Sequence, residues 1–532
     1  MQQKLHRYYL IICLAQLHYA ATAQQGPLPP FTIELQEVVA PQLPGLHSFA
    51  KAQSGDKWLI VTGRTDGLHS FFPNSAFSPT EANQSLFVID TDDWEVWSAP
   101  LSLLPYAIRT SLSATNTEFI QSGSQLYIIG GYGNDSLTDA KITFPTITAL
   151  QTDAVINEIV AGSNNLAPYI RQAVYNDLAV TGGALQKSGS TYFLVGGHNF
   201  SGLYTKLTSS FFLQQYTNSI SRFELEDDGD NLTINNFAAQ TDTDNFHRRD
   251  LNAAPLINAD GSESFGLYGG VFRYDKNLPY THPVYFDESG AVTDFSFEQK
   301  MSQYTCPVVT CYDSVSHTMY TTFFGGISLY DCNDTTNLLT EDTLVPFIND
   351  ITTLTRSEDG STTESVLPVK FPGLYGANAE FFPAMNNVTY PNGVLKLNTF
   401  TGKQLIGYIY GGISTNNANE GYSLASNLLF RVFLTRTIAT HDISPTATDN
   451  FSIFPNPTGG YLQISFSLDQ AQHVSIRLMN LYGAEAARPA EGTFPAGNHR
   501  LAFNTLQLAA GLYTIRFISD DKNTAGTLMI MK

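Results

Sequence analysis

The sequence predicts an all-β protein: a radial array of six four-stranded sheets followed by a small antiparallel β-sandwich. Three observations carry this. An apolar run closes on a glycine pair at five places, with a degenerate copy ahead of them. Segments with period-two alternation follow these pairs, and no long helical pattern interrupts them. The chain has 532 residues, enough for one large closed fold and a further module. With 43% hydrophobic and only 14% charged residues, it has the means to bury a sizeable core. The formal net charge of −20 argues against a nucleic-acid partner, which requires a basic footprint to neutralise phosphates.

The pairs stand in YIIGG at 127–131, FLVGG at 193–197, GLYGG at 266–270, TFFGG at 322–326 and YIYGG at 408–412, with LIVTG at 59–63 as the degenerate copy. Successive final glycines lie 68, 66, 73, 56 and 86 residues apart, a period that means a radial repeat when the content is β-rich. Within a unit, a buried strand ends where the backbone turns sharply beside a neighbour. Glycine supplies the positive φ and permits the close approach. Ahead of each pair lies another strand, reached through a hairpin such as Ser122-Gly123 or Asp260-Gly261. After it come a third strand (Ser85–Asp90, 219–224, 427–432), an outer strand such as 94–97, and a Leu-Pro at Leu104-Pro105 or Leu367-Pro368. Six such units fill residues 31–436. Phe31–Val38, followed by Leu43-Pro44, reads as an outer strand without a unit, and the last unit, ending at Arg436, lacks one. The N-terminal strand is therefore expected to complete the sixth unit and leave no open edge. The glycine pair after the second strand, the aromatic before the outer strand and the Leu-Pro resemble kelch-type β-propeller blades. The resemblance implies a six-bladed β-propeller with four strands per blade, each blade longer than the usual kelch length of about 50 residues.

Residues 1–23 read as an export signal: Lys4 and Arg7 form a positive start, 8–17 an apolar run, and Ala21-Thr22-Ala23 a small-residue cleavage site. Lipidation at Cys13 does not fit, because Ile11-Ile12 precede it where a small residue belongs. No later stretch is apolar enough to span a membrane as a helix. Residues 437–450 lose aromatics and gain Thr, Ser and Pro, as a linker does. Beyond them, strands are expected at Tyr461–Leu468, 473–478, 511–518 and 527–531, giving the sandwich over 451–532. The motifs PNPTGG, V-x-I-x-L-x-N-x-x-G and L-x-x-GLY-x-I-R resemble the C-terminal sorting domain of type IX secretion cargo in Bacteroidetes-like bacteria. The resemblance implies the type IX translocon as a partner and delivery to the outside or the outer cell surface. Its motif residues here are Pro455, Asn456, Pro457, Gly483, Gly511, Leu512 and Tyr513.

In a four-stranded unit the innermost strand starts, and the second ends, on the same face near the axis. The positions ahead of the first strands are His47, Arg109, Arg171, Arg248 or Arg249, and Tyr304; those past the pairs are Arg64, Tyr132, His198, Phe272 and Ser328. His47, Arg64, Arg109, Tyr132, Arg171, His198 and Arg249 are thus the candidate ligand set of an axial mouth. A cationic mouth draws opposite charge, and aromatic faces with planar guanidinium donors suit glycans and anionic groups. The competing reading has these arginines bonded to backbone carbonyls and to neighbouring units. Recognition of a glycan or a surface protein is the expected role. The alternative is a carbohydrate-active enzyme, either sialidase-like or a copper oxidase. The sialidase turn is approached only at 357–362, one residue short and without its Trp, and His198, His247 and His282 are too scattered for a copper set. The acidic stretch 224–230 fits a solvated hairpin tip better than a calcium loop. No cofactor, metal site or catalytic residue is assigned. Of the cysteines after the signal, Cys306 and Cys311 are too far apart along an extended strand to bridge. A Cys306–Cys332 disulfide is expected instead, with Cys311 buried.

Overall fold

A computed structural model describes residues 26–437 and 451–531, apart from residues 74, 164, 206–210, 337, 420–421, 481–483 and 521–522. The expected export signal, the linker beyond Thr437 and Gly483 lie outside the described residues. Contacts divide the chain into two units, Met1–Arg436 and Thr437–Lys532.

Six larger antiparallel sheets follow one another through the first unit among the described residues. The first joins Ala50–Ser54, Lys57–Val61, Ser85–Asp90 and Val96–Pro100 in chain order. The second joins Glu118–Ser122, Gln125–Ile129, Thr146–Gln151 and Ile170–Val174, and the third Ala184–Ser188, Thr191–Val195, Ser219–Asp227 and Leu232–Thr241. The fourth holds Asn252–Ile257, Glu263–Tyr268, Val284–Asp287 and Gly290–Thr293. The fifth, Val308–Asp313, Thr318–Phe324, Asp350–Arg356 and Thr362–Lys370, gains a short parallel strand, Leu395–Lys396. The sixth is Leu374–Pro383, Lys403–Thr415 and Leu429–Arg436, and its outer strand is Phe31–Val38. That strand runs antiparallel to Leu429–Arg436 from Phe31 opposite Arg436 to Val38 opposite Leu429, the pairing expected from the sequence.

The second strands read as continuous apolar runs because both their faces are covered. All of Thr318–Phe324 is buried, as is all of Lys57–Val61 except Lys57. Each sheet shares a core with the next. Leu59 and Val88 pack with Leu126 and Ile128; Ile129 with Leu194 and Phe223; Phe193 with Phe265 and Phe286; Tyr268 with Phe323. Phe324 packs with Ile406, Ile409 and the N-terminal Phe31 and Ile33, and Phe382 and Tyr410 of the sixth sheet pack with Phe49 and Trp58 of the first. Each such side chain contributes about 1.5–3 kcal/mol when fully buried.

The glycine pairs stitch these sheets at their backbones. The amide of Gly63 donates to the Ala114 carbonyl (3.0 Å), Gly131 to Val180 (2.8 Å), Gly197 to Arg248 (2.7 Å), Gly326 to Tyr375 (3.2 Å) and Gly412 to Leu46 (2.8 Å). Every acceptor lies in the segment leading into or opening the following sheet, and the last lies ahead of the first sheet. Between the fourth and fifth sheets, Asn252 serves instead, donating to the Gln303 carbonyl (2.9 Å) and accepting from the Cys306 amide (3.1 Å). The approach leaves no room for a side chain: a Cβ on Gly130 would lie 1.9 Å from the Val180 oxygen, and φ there is +63°.

Two short helices depart from the strand-only expectation. Tyr106–Leu112 precedes the second sheet, and Thr152–Val160 continues directly from its third strand. Val155, Ile156 and Ile159 of the latter pack against Leu59 and Leu86, so the insertion is held by the core of the first sheet. Hairpins such as Tyr132–Asp135 with Ala140–Thr143, and His198–Gly202 with Phe212–Tyr216, stand between second and third strands and lengthen the repeat.

The expected Cys306–Cys332 disulfide is not formed. Cys306 carries a free thiol whose sulfur lies 3.4 Å from the Asn252 amide nitrogen, within the core holding Tyr268 and Phe323. Cys332 packs in a different cluster with Met301, Ile348 and Val366.

In the second unit, one sheet joins Phe451–Phe454, Tyr461–Leu468 and Gly497–Asn504. The other joins Glu485–Phe494, Gln472–Met479, Gly511–Ser519 and Asn523–Ile530. Alternate residues of both, including Ile464, Phe466, Ile476, Phe517 and Leu528, form one shared core.

Replacing Gly130 by Ala is expected to cost about 3 kcal/mol, since positive φ and the Val180 carbonyl both oppose the methyl group. The same change at Gly123, with φ +59° but open space, should cost about 1 kcal/mol. Denaturant unfolding of the two variants measures the difference.

Candidate ligand site

The site begins with a bridge repeated in five sheets. A residue three or four positions ahead of the first strand pairs with the one just past the glycines: His47 with Arg64, Thr115 with Tyr132, Thr181 with His198, Arg249 with Val271 and Tyr304 with Ile327. His47, Arg64, Tyr132, His198 and Arg249 therefore sit where the sequence placed them, at the start of a first strand or the end of a second. Arg109 and Arg171 do not, and Thr115 and Thr181 occupy those positions. The reason is the two helices, which insert residues that the strand pattern does not count. Arg109 lies exposed on helix Tyr106–Leu112. Arg171 lies on the fourth strand of the second sheet, 2.6 Å from Asp227 and 3.2 Å from the Gln125 side chain. Arg248 fits the competing reading: it is fully buried and donates to the carbonyls of Asn245, Gly269 and His282.

Arg64 is buried, and its Nε and Nη2 grip the Asp66 carboxylate bidentately, both at 2.7 Å. Its guanidinium lies 5.3 Å over the Phe77 ring. His47 Nε2 stands 3.7 Å from the same carboxylate. Burial alone raises the Asp66 pKa, but the His47 and Arg64 side chains outweigh it and bring it down to about 2. Arg249 is held in the same manner, with Nη1 2.6 Å from Asp250 and Nε 3.1 Å from the Tyr216 hydroxyl.

A run of rings connects these two arginines. Phe77 meets Tyr132 edge-on at 5.1 Å, Tyr132 meets Phe200 at 5.3 Å, and Phe200 lies 5.7 Å from His198. His198 lies 5.4 Å from Tyr216, which stacks on His247 at 3.7 Å. His69 is wedged against Phe77 and Tyr204, each at 4.5 Å. Desolvation among these rings, with the charges of Arg249, Arg64 and His47 adding, lowers the His69 pKa to about 4. Burial likewise holds His198 well below the usual histidine range, and its Nδ1 lies 2.6 Å from the Gln214 amide nitrogen. Phe77, His69, Tyr204 and Tyr216 were not singled out from the sequence. Their signal is the aromatic content of the insertions between second and third strands.

Two cavities adjoin this face. One, of about 430 Å³, is lined by the first strands of all six sheets, at residues 48–53, 116–121, 182–186, 250–253, 305–308 and 378–383. Lys51 pairs with Glu380 at 3.3 Å, and Gln53 and Gln121 exchange two 2.8 Å hydrogen bonds. One oxygen of the buried Glu118 carboxylate accepts from the Gly183 amide (2.7 Å), and the other has no hydrogen-bond partner among the described residues. The other, of about 260 Å³, is lined by Arg64, Phe77, Arg109, Thr110, Tyr132 and Lys141 among others.

Asp66 offers a pH test. Its folded pKa lies below the ordinary 3.8, so its stabilisation is complete above about pH 4 and is lost as pH falls through about 2. Asp66→Asn should reduce stability at pH 7 by about 2 kcal/mol. The gap from the unmodified protein should close between pH 4 and pH 2, as urea unfolding across that range will measure.

In the second unit the Pro455-Asn456-Pro457 motif is zipped to the last strand. The Asn456 side chain donates to the Thr527 carbonyl (2.6 Å) and accepts from the Met529 amide (2.9 Å), and Thr458 exchanges backbone bonds with Met529 and Met531. Gly511 and Leu512 lie opposite Ile530 and Met529, and the buried Tyr513 donates to the Ala509 carbonyl. Residues 452–531 match the family described as "Secretion system C-terminal sorting domain". No curated protein matches the chain. Among solved structures, "Structure of YjhT" is similar over 77% of this chain and 97% of that one, at 11% identity and a TM-score of 0.40. Residues 452–531 are a type IX secretion C-terminal sorting domain, which indicates export and then secretion or display at the outer cell surface.

Proposed function

We propose that the first unit is a six-bladed, kelch-like β-propeller acting as a surface-delivered recognition module, binding glycans or proteins at its axial mouth. The propeller reading draws support from the repeated strand order, the glycine-pair amides bonded to the following sheet, and the sixth sheet's contacts with the first. The observation that carries the recognition role is the run of rings from Phe77 to His247, flanked by Arg64 and Arg249. Of these rings Phe77, Tyr204, Tyr216 and His247 are half-buried and can offer a face, while Tyr132, Phe200 and His198 are buried beneath them; partly exposed rings on a β scaffold suit sugar rings and flat polar surfaces. Recognition is favoured over catalysis because the arginines and histidines along the run of rings are already committed. Arg64 and Arg249 each hold an aspartate, and His198 and His247 have hydrogen-bond partners in Gln214 and Asn218. The sorting domain supplies the route to the surface through the type IX translocon.

Glycan and surface-protein arrays probed with the full chain test the binding role, with an assay for released sugar alongside. Binding without sugar release is expected, and Phe77→Ala with Tyr204→Ala should weaken it about tenfold. Absence of any binding, or turnover of a bound glycan, overturns the recognition role. Deleting residues 451–532 should retain the protein in the periplasm, as cell-surface protease accessibility will measure. Undiminished display of the truncated chain overturns that dependence.

A further inference from the structure

We propose that the cavity of about 260 Å³ beside the first and second glycine pairs binds an anionic group, a sulfate, phosphate or carboxylate, carried on a sugar ring. This deepens the recognition role above and rests on it.

The cavity is lined by the segments that follow the first two glycine pairs and by helix Tyr106–Leu112. Its charged lining residues are Arg64, Arg109 and Lys141, all positive, on a chain whose net charge is −20. Arg64 is neutralised by Asp66. Arg109 and Lys141 have no carboxylate within ion-pair distance among the described residues; Arg109 rests on the Tyr106 ring at 5.5 Å, and Lys141 donates to the Ala76 carbonyl. Partial burial and the nearby Arg64 charge hold the Lys141 pKa below the ordinary lysine value, so an entering anion would relieve a strain that the protein leaves uncompensated.

A second, independent observation points the same way. Thr110 also lines this cavity, is 5% exposed, and its hydroxyl has no hydrogen-bond partner among the described residues. A buried hydroxyl without a partner is costly, and a turn of the Thr110 side chain towards the cavity would let an oxyanion accept its proton. The planar Arg109 guanidinium and the Lys141 ammonium supply the charged donors. Phe77 and Tyr132 form apolar walls for a ring, and the volume admits one sugar residue rather than an extended chain.

Calorimetric titration of the full chain with glucuronate, a sulfated monosaccharide, inorganic sulfate and neutral glucose tests this. The charged sugars should bind more tightly than inorganic sulfate, neutral glucose should not bind, and affinity should fall with added salt. Arg109→Ala and Lys141→Ala should each weaken binding about tenfold, and Arg109→Glu should abolish it. Arg109 is exposed on its helix, so thermal unfolding of its two variants should match the unmodified protein. Charged-sugar binding that survives Arg109→Glu overturns this site while leaving recognition elsewhere on the mouth intact. Equal binding of neutral and charged sugars, or no binding of any charged probe, also overturns it. Tighter binding of inorganic sulfate than of either charged sugar overturns the ring-bearing ligand.

Discussion

The amides of Gly63, Gly131, Gly197, Gly326 and Gly412, each donated to a carbonyl leading into or opening a neighbouring sheet, with Asn252 serving between the fourth and fifth sheets, govern how the first unit is assembled. Each glycine amide brings two backbones to within hydrogen-bonding distance at a place where any side chain would intrude, as the 1.9 Å approach at Gly130 illustrates. A buried, unpaired amide is expensive, so each bond also fixes the following sheet's position. Apolar packing between neighbouring sheets then fills the space that this spacing leaves. The N-terminal strand covers the final edge, with Phe31 and Ile33 inserted into the core of the fifth and sixth sheets.

The same region carries the proposed ligand face. In five sheets the residue just past the glycines bridges to the segment ahead of its own first strand. The chain then leaves the sheet in an insertion before returning as the third strand. These insertions carry the rings of His69, Phe77, Phe200, Tyr204 and Tyr216. Backbone bridges therefore anchor the ends of segments whose aromatic side chains pack on one another.

Much of this organisation was legible in the sequence, because glycine pairs and apolar runs record backbone requirements directly. Phe31–Val38 was recognisable as a partner for the last strand from its unmatched position alone. The positions of Arg109 and Arg171 were not legible. Helices of seven and nine residues are too short for a periodic signal to stand out, and they displaced both arginines from the inner strands. Lys141 and Thr110 escaped notice because nothing in a sequence reports that a cation lacks a carboxylate or a hydroxyl a hydrogen-bond partner. The cysteine pairing failed for a related reason: Cys306 turns towards Asn252, and only side-chain direction reveals it. In the tail, by contrast, the Pro455-Asn456-Pro457 motif is legible because its spacing marks a turn, although the bonds that Asn456 makes reach the last strand, more than seventy residues on.

Amide hydrogen exchange at Gly63, Gly131, Gly197, Gly326 and Gly412 examines whether these seams act together. A cooperative ring predicts that all five exchange as slowly as the second strands beside them, Gly412 included, and that removing Phe31–Val38 accelerates them in concert. Fast exchange at Gly412 with the other four still protected would show that the sixth sheet is not joined to the first, and the ring would not hold.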